Sequence, residues 1–191
     1  MKADLRREAA ARRRDAYAAE PDAPSRLAAA FPAELAPRAG QIVSGYRAFR
    51  TELDPLPLLT LLAEAGASLC LPVTPPMGDA VSTLTFRAWA LGDTLEPSAF
   101  GVMEPLAEKA ALEPDILLVP LLAFDVTGIR LGYGAGHYDR TIARLRAVKP
   151  IKAIGIGYSA QHMPHLPADP WDQPLDWIVT PDRAYEVQRT S

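Results

Sequence analysis

A glycine-rich segment, DVTGIRLGYGAGHYDR at residues 125–140, carries the densest group of chemically useful residues in the sequence. Three of its glycines alternate with other residues: Gly132, Gly134 and Gly136. Glycine lets the backbone take unusual angles and approach a ligand closely, and backbone N–H groups at a helix start bind phosphate. Arg130 and Arg140 add positive charge, and Asp139 is a carboxylate suited to Mg²⁺, which prefers few carboxylates together with phosphate oxygens. The segment therefore predicts a nucleotide-phosphate site.

The glycine pattern alone leaves a second interpretation open. It matches neither the P-loop nor the dinucleotide-binding pattern, and a glycine-rich turn without a ligand has the same composition. A second possible site, the pair His162 and His165, has no evident third ligand and is a weak metal motif. Cys70 lies in an apolar segment, where we expect it to pack as a small hydrophobic residue.

The elements around the glycine segment indicate an α/β fold with a mostly parallel sheet. An apolar strand, DILLVP at 115–120, leads toward it, and a helix at 137–148 follows it. Further helices are predicted at 2–20 and 56–65, with one or two short helices in 25–38. Further strands are predicted at 41–46, 67–73, 84–89, 151–157 and 175–179. Strands that alternate with helices, and are almost continuously apolar, are typical of sheets covered on both faces. The irregular segment 159–174 is long for a connection, and such loops are often functional.

Composition excludes several classes of protein. The chain has 191 residues, a net charge of −3, one Cys and three His, which fits one domain over residues 1–191 without a disulfide framework or a Cys-rich zinc site. The acidic total argues against a dedicated nucleic-acid-binding protein, and no apolar run is long enough to cross a membrane. Asp4 and Glu8 argue against a transit peptide in the basic N-terminal segment. We expect a cytoplasmic monomer.

RLGYGAGHYDR closely resembles the signature of the 5-formyltetrahydrofolate cyclo-ligase family. The resemblance extends over nearly the whole chain through four other blocks in the family's order: KADLR at 2–6, RTELDPLPLL around Glu52, FGVMEP at 100–105 with the strand that follows it, and HLPADPWDQPLDWIVTP at 165–181. It implies a three-layer α/β/α sandwich. It also implies that ATP and 5-formyltetrahydrofolate are converted to 5,10-methenyltetrahydrofolate, ADP and phosphate with Mg²⁺. The formyl oxygen would be phosphorylated, and N10 would then close the ring.

The resemblance also implies roles for individual residues. The ATP-binding residues would be Lys2, Arg6, Arg130, Gly132, Tyr133, Gly134, Ala135, Gly136, His137 and Tyr138. The folate-binding residues would be Glu52, Arg47, Tyr133, Gly134, Gly136 and His137. Arg130 and Tyr138 are the catalytic candidates, and Asp139 and Asp172 would bind the metal. Lys2 and Arg6 lie four residues apart and hence on one helix face, and a carboxylate such as that of Glu52 accepts hydrogen bonds from pterin N–H groups.

Two departures from the family keep alternatives open. The family usually has Gly and Tyr where this chain has Ala135 and His137, and Ala135 would be strained if its φ were positive. A paralogue with another substrate is one alternative, and a binding protein that sequesters folate is another. Without the resemblance, the charged residues would be read as solvated surface groups: Lys2, Arg6, Glu52 and the run Arg12, Arg13 and Arg14. Asp176 would be structural. Phe86, Trp89 and Phe100 belong either to the core or, for one of them, to a pterin-stacking surface, and Trp171 could cover the edge of a site.

Overall fold

The computed structural model describes residues 2–76 and 82–188, which form four α-helices, two short 3-10 turns and eleven strands. The helices are α1 (Lys2–Ala19), α2 (Ala23–Ala30), α3 (Leu56–Glu64) and α4 (His137–Val148). The first six strands are β1 (Ile42–Ser44), β2 (Ser68–Val73), β3 (Thr85–Ala88), β4 (Leu95–Pro97), β5 (Met103–Pro105) and β6 (Ile116–Pro120). The others are β7 (Ala123–Phe124), β8 (Arg130–Leu131), β9 (Lys152–Ile156), β10 (Trp177–Val179) and β11 (Ala184–Glu186).

Seven of these strands form the central sheet, in the order β11-β10-β9-β6-β1-β2-β3. The five inner strands, β10 to β2, are mutually parallel, whereas β3 and β11 add antiparallel edges. When the five parallel strands are numbered by their order along the chain, they lie side by side in the sheet in the order 2-1-3-4-5. In this doubly wound topology the connections diverge between β1 and β6, and ligands bind beyond the carboxyl ends of the strands at that point. The loops after Ser44 and Pro120 are therefore the expected walls of a site.

Both faces of the sheet are buried, which explains the apolar sequence of its strands. On β6, Ile116 and Leu118 pack in the layer that contains α2 and α3, whereas Leu117 and Val119 pack in the layer that contains α4. Because alternate residues of a strand point to opposite faces, a strand covered on both sides needs an apolar residue at every position. The predicted α/β fold with a mostly parallel sheet is thus confirmed. A third, smaller cluster joins α1 to the segment that follows β6: Ala9, Leu122, Ala123, Leu131, Met163 and Leu166.

The structure corrects one expectation about the approach to the glycine segment. The sequence predicts that the strand beginning at residue 115 leads directly into it. Instead, β6 ends at Pro120, and a small hairpin of β7 and β8 stands between that strand and the glycines. Proline lacks the N–H that a ladder requires, which favours the end of the strand there. The hairpin places Arg130 and Leu131 immediately before Gly132.

No helix in the described part of the chain is both long enough and apolar enough to span a bilayer.

Candidate active site

The glycine loop, residues 132–136, joins β8 to α4 beyond the carboxyl end of β6. Gly134 has φ +106° and Gly136 has φ +68°, a region that side-chain-bearing residues rarely occupy. A Cβ on Gly134 would also lie 3.2 Å from the Arg6 guanidinium. Ala135 is different, because Arg50 is the one described non-glycine residue with a positive φ. The departure from the family at Ala135 therefore introduces no backbone strain.

Helix α1 crosses the glycine loop and presents a single face to it. Nε of Arg6 donates to the carbonyl oxygen of Gly132 at 3.0 Å, and Nη2 of Arg13 donates to the Tyr133 hydroxyl at 2.8 Å. Lys2, Arg6 and Arg13 lie on one face of α1, because separations of four and eleven residues correspond to nearly whole numbers of helical turns. Reading Arg13 as a solvated charge is wrong, because only 3% of this residue is exposed. Its neighbour Arg14 is exposed, as the sequence suggests.

Arg130 joins the glycine loop to the irregular segment before β10. Its Nη2 donates to Oδ1 of Asp139 at 2.8 Å, and its Nη1 donates to the carbonyl oxygen of Gln173 at 2.8 Å. Oδ1 of Asp139 also accepts the backbone N–H of Gln173 at 2.9 Å. Burial lowers the pKa of Arg130, and the charge and hydrogen bond of Asp139 oppose that shift. The guanidinium remains a cation, as arginine does throughout proteins. The closed triangle of Arg130, Asp139 and Gln173 is called the clamp below.

The segment before β10 also meets the start of α1. Nζ of Lys2 lies 2.6 Å from Oδ2 of Asp169 and 3.3 Å from Oδ2 of Asp172. The hydrogen bond to Asp169 raises the pKa of Lys2. Oδ2 of Asp172 also accepts the backbone N–H of Asp169 at 2.9 Å. The structure thus brings together the predicted residues Lys2 and Asp172 and adds Asp169, which the sequence analysis did not single out.

The two predicted metal ligands, Asp139 and Asp172, are carboxylates of the kind that Mg²⁺ prefers. The bonds described above use Oδ1 of Asp139 and Oδ2 of Asp172, and they do not engage the second oxygen of either carboxylate. Within residues 2–76 and 82–188, no group of three or more His, Cys, Asp or Glu side chains has the arrangement of a metal site. Mg²⁺ is commonly held by one or two carboxylates plus phosphate oxygens and water. The donor set therefore suits an ion that arrives with a nucleotide.

Glu52 lies across from the glycine loop, in the turn that follows β1. Its Oε2 accepts the backbone N–H of Phe49 at 2.9 Å, and its Oε1 accepts the Tyr133 hydroxyl at 3.1 Å. Glu52 is only 6% exposed, and burial raises its pKa, although Phe49, Arg13 and Tyr133 partly offset the shift. A single hydrogen bond thus links the predicted folate-binding carboxylate directly to the predicted ATP-binding loop. Arg47 is half-buried in the same loop, and its folate contact stays a prediction.

The aromatic candidates from the sequence divide into buried and exposed side chains. Phe86 and Trp89 are buried in the two main core layers, so they are packing residues. Phe100 is 46% exposed in the β4–β5 hairpin, and a Cβ on the adjacent Gly101 would lie 3.8 Å from the Phe49 ring. Phe100 is therefore the one of the three sequence candidates that is available to stack on a ligand. Trp171 is also exposed, next to Asp172.

The first turn of α4 holds the remaining predicted residues. Nδ1 of His137 lies 3.2 Å from the carbonyl oxygen of Ser82 and 3.3 Å from Nη2 of Arg140. Tyr138 packs against the α4 core layer, and burial raises the pKa of its phenol well above 10. Tyr138 is therefore protonated at neutral pH, and a role as a base would require strong activation. Both residues border the glycine loop, but the polar contacts of the His137 ring are with Ser82 and Arg140.

Comparison with known protein families decides the classification. A family model described as the 5-formyltetrahydrofolate cyclo-ligase family matches residues 1–181. The chain belongs to this family. The cyclo-ligase from Escherichia coli K12 is 34% identical over 148 residues, which cover 75% of this chain and 80% of that protein. The cyclo-ligase from Mycolicibacterium smegmatis is 34% identical over 156 residues, 78% of each chain. The predicted enzyme class, a ligase, is confirmed.

Solved structures agree with the cyclo-ligase assignment. The 5,10-methenyltetrahydrofolate synthetase from Aquifex aeolicus has a TM-score of 0.76 and 26% identity, covering 100% of this chain and 94% of its own. The synthetase from Mycoplasma pneumoniae, at 23% identity, has a TM-score of 0.71 and covers 94% of this chain and 98% of its own. That second likeness concerns the fold alone. Both structural matches cover at least 94% of each chain, so the likeness extends over the whole fold.

Three residues that the structure brings into the site were not identified from the sequence. Arg13 had a usable signal, because it continues the helical face of Lys2 and Arg6. Asp169 and Gln173 had none beyond their position in a long irregular segment, because their contacts with Lys2 and Asp139 span 167 and 34 residues.

Proposed function

We propose that this chain, acting as one domain over residues 1–191, converts 5-formyltetrahydrofolate to 5,10-methenyltetrahydrofolate with ATP and Mg²⁺. The predicted cytoplasmic location and monomeric state remain predictions. The observation that carries the proposal is the contact between Tyr133 and Glu52, 3.1 Å apart. It joins the glycine loop to Glu52, the carboxylate that this proposal assigns to the pterin. A phosphoryl transfer between two substrates needs their sites to adjoin in this way, because catalysis of such a reaction is mostly positioning and charge neutralisation.

The proposed reaction has two steps. The formyl oxygen of the folate attacks the γ-phosphorus of ATP, and the bond from that phosphorus to the ADP oxygen breaks. N10 then attacks the activated formyl carbon, phosphate leaves with the former formyl oxygen, and N10 loses its proton. The atoms balance as methenyltetrahydrofolate, ADP and inorganic phosphate.

The residues of this chain have separate tasks in that scheme. Lys2, Arg6 and the loop N–H groups neutralise and orient the phosphates. Arg130, a buried cation fixed by the clamp, stabilises the charge that develops on the transferred group. Glu52 accepts hydrogen bonds from the pterin and fixes its position. Asp139 and Asp172 would hold Mg²⁺, which lowers the repulsion between phosphate oxygens.

The experiment that tests the proposal mixes the protein with 5-formyltetrahydrofolate and MgATP and follows the near-ultraviolet absorbance of the methenyl product. Equal amounts of product, ADP and phosphate are expected, and omission of Mg²⁺ should stop the reaction. ADP release without the methenyl product would instead indicate a paralogue with another acceptor. Folate binding without turnover, at high protein concentration and with Mg²⁺ present, would refute the enzyme and favour the sequestering protein.

A further inference from the structure

Arg13 is a buried cation that the proposed chemistry does not use. Its Nε donates to the Thr51 hydroxyl at 3.2 Å, and its Nη2 donates to the Tyr133 hydroxyl at 2.8 Å. Its Nη1 is buried and finds no hydrogen-bond partner among the residues that the structure describes. Burying an unpaired donor is costly, and such a group in a native site calls for an explanation.

The unpaired donor belongs to an arginine that faces Glu52. Nη1 of Arg13 lies 3.8 Å from Oε1 of Glu52, and 4% and 7% of the two side chains are exposed. That distance is too long for a hydrogen bond but short enough for a strong charge interaction where little water is present. Oε1 is meanwhile occupied by the Tyr133 hydroxyl. Arg13 is thus next to the carboxylate without being bonded to it.

We propose that Arg13 is a positioning residue for folate recognition, which holds Glu52 in place as a carboxylate while the pterin binds. The inference rests on the proposed function, since it takes the pterin as the ligand of Glu52. When ligand N–H groups take Oε1 in place of Tyr133, Arg13 remains as the positive charge opposite Glu52 and its free Nη1 closes onto that carboxylate. Thr51 fixes the guanidinium from the other side.

The charges around Glu52 support this assignment. Burial raises the pKa of Glu52, and Arg13 acts against that shift. The other titratable groups that interact with Glu52 are Tyr46 after β1, Tyr133 in the glycine loop and Tyr138 on α4. All three are phenols that burial keeps protonated, so Arg13 is the cation among these neighbours. Without it, Glu52 would gain a proton at higher pH and lose one acceptor.

The test is equilibrium binding of 5-formyltetrahydrofolate by calorimetry, together with steady-state kinetics across pH. In Arg13→Met, the dissociation constant and the KM for folate should rise about tenfold, the effect of losing one charge-assisted contact. kcat at saturating folate should change less than twofold. The acid limb of the pH profile of kcat/KM for folate should move to higher pH by about one unit, because Glu52 without the nearby cation binds its proton at higher pH. Arg14→Met, which removes an exposed charge from the next position of α1, should leave all these values unchanged.

Arg13→Lys separates charge from packing. It retains a cation near Glu52 but loses the fork that reaches Thr51 and Tyr133, so the acid limb should stay in place while the folate KM takes an intermediate value. An acid limb and a folate affinity in Arg13→Met that both match wild type would overturn the inference. If Arg13→Met fails to fold, Arg13→Lys carries the test, and an acid limb that moves up in Arg13→Lys, or a folate KM equal to that of wild type, would overturn the inference. If wild type binds folate but does not turn it over, the proposed function fails while the binding comparison still tests Arg13.

Discussion

Asp139 has a structural task in addition to its predicted metal role, and replacing it should reveal both. Asp139→Ala removes the common acceptor of two hydrogen bonds, from Nη2 of Arg130 at 2.8 Å and from the backbone N–H of Gln173 at 2.9 Å. The Arg130 side chain is 4% exposed, so water cannot easily replace the lost partner, whereas Asp139 is 21% exposed. Removing one member of a buried pair costs about 3–5 kcal/mol. We expect the lower end, about 3 kcal/mol, because of the partial exposure of Asp139.

Asp139→Asn refines the same prediction. The amide oxygen still accepts both hydrogen bonds, but the negative charge opposite Arg130 is gone, so the free energy of unfolding should fall by only about 1–2 kcal/mol. Urea unfolding followed by circular dichroism measures these losses. Turnover of 5-formyltetrahydrofolate, measured where each variant is folded, should fall at least a hundredfold in both, because a neutral amide binds Mg²⁺ poorly.

Asp176 supplies the matched control. It accepts Nη2 of Arg146 at 3.0 Å and the backbone N–H of Ala153 at 2.8 Å, and the two side chains of the ion pair are 18% and 20% exposed. Asp176→Ala should therefore lose about 2–3 kcal/mol of stability but keep its turnover. The reasoning is refuted if Asp139→Ala costs less than about 1 kcal/mol, or if the Asp176 variant loses activity to the same extent.

Three further predictions concern the cations, the glycine loop and the buried carboxylate. Lys2→Met should raise the KM for ATP about tenfold, whereas Arg7→Met, which alters an exposed side chain of the same helix, should leave it unchanged. Gly134→Ala combines a φ of +106° with a Cβ 3.2 Å from Arg6, so kcat/KM should fall more than tenfold in steady-state assays. Gly66→Ala also has a positive φ but meets nothing within 4 Å, so it should cost about 1 kcal/mol of stability and no activity. Because burial raises the pKa of Glu52 above its ordinary 4.5, the folded protein binds that proton more tightly than the unfolded chain. The contribution of Glu52 to the free energy of unfolding is therefore largest below pH 4.5, and it is lost as the pH rises through the pKa of Glu52 in the folded protein. Glu52→Gln should flatten the plot of unfolding free energy against pH over that range. An unchanged slope would contradict the argument.

The elements predicted most accurately were those with strong local signals. The predicted helix at 137–148 coincides with α4, because a glycine with positive φ precedes it and an amphipathic pattern defines its length. The strand β6 was evident from five consecutive apolar or proline residues. The hairpin of β7 and β8 was not predicted, since strands of two residues show no periodicity.

The site was predictable in outline but not in its connections. The glycine loop was a candidate from its own residues, whereas Lys2, Arg6 and Glu52 were candidates only through the resemblance to the family. The structure places all of them around one end of the sheet. Arg13 is hydrogen-bonded to Tyr133, which lies 120 residues away in the sequence, and Asp169 is hydrogen-bonded to Lys2, which lies 167 residues away. No local pattern in the sequence encodes such pairings, because they follow from the topology of the sheet.

These long separations have a consequence for how the protein folds. Three contacts of α1 with the site close especially long loops: 167 residues for Lys2 with Asp169, 126 for Arg6 with Gly132 and 120 for Arg13 with Tyr133. Closing such loops has a high entropic cost and slows folding, so these contacts form late. During synthesis, α1 is made before these partners, which all lie in the last third of the chain. In refolding from denaturant, the recovery of sheet signal should therefore precede the recovery of turnover.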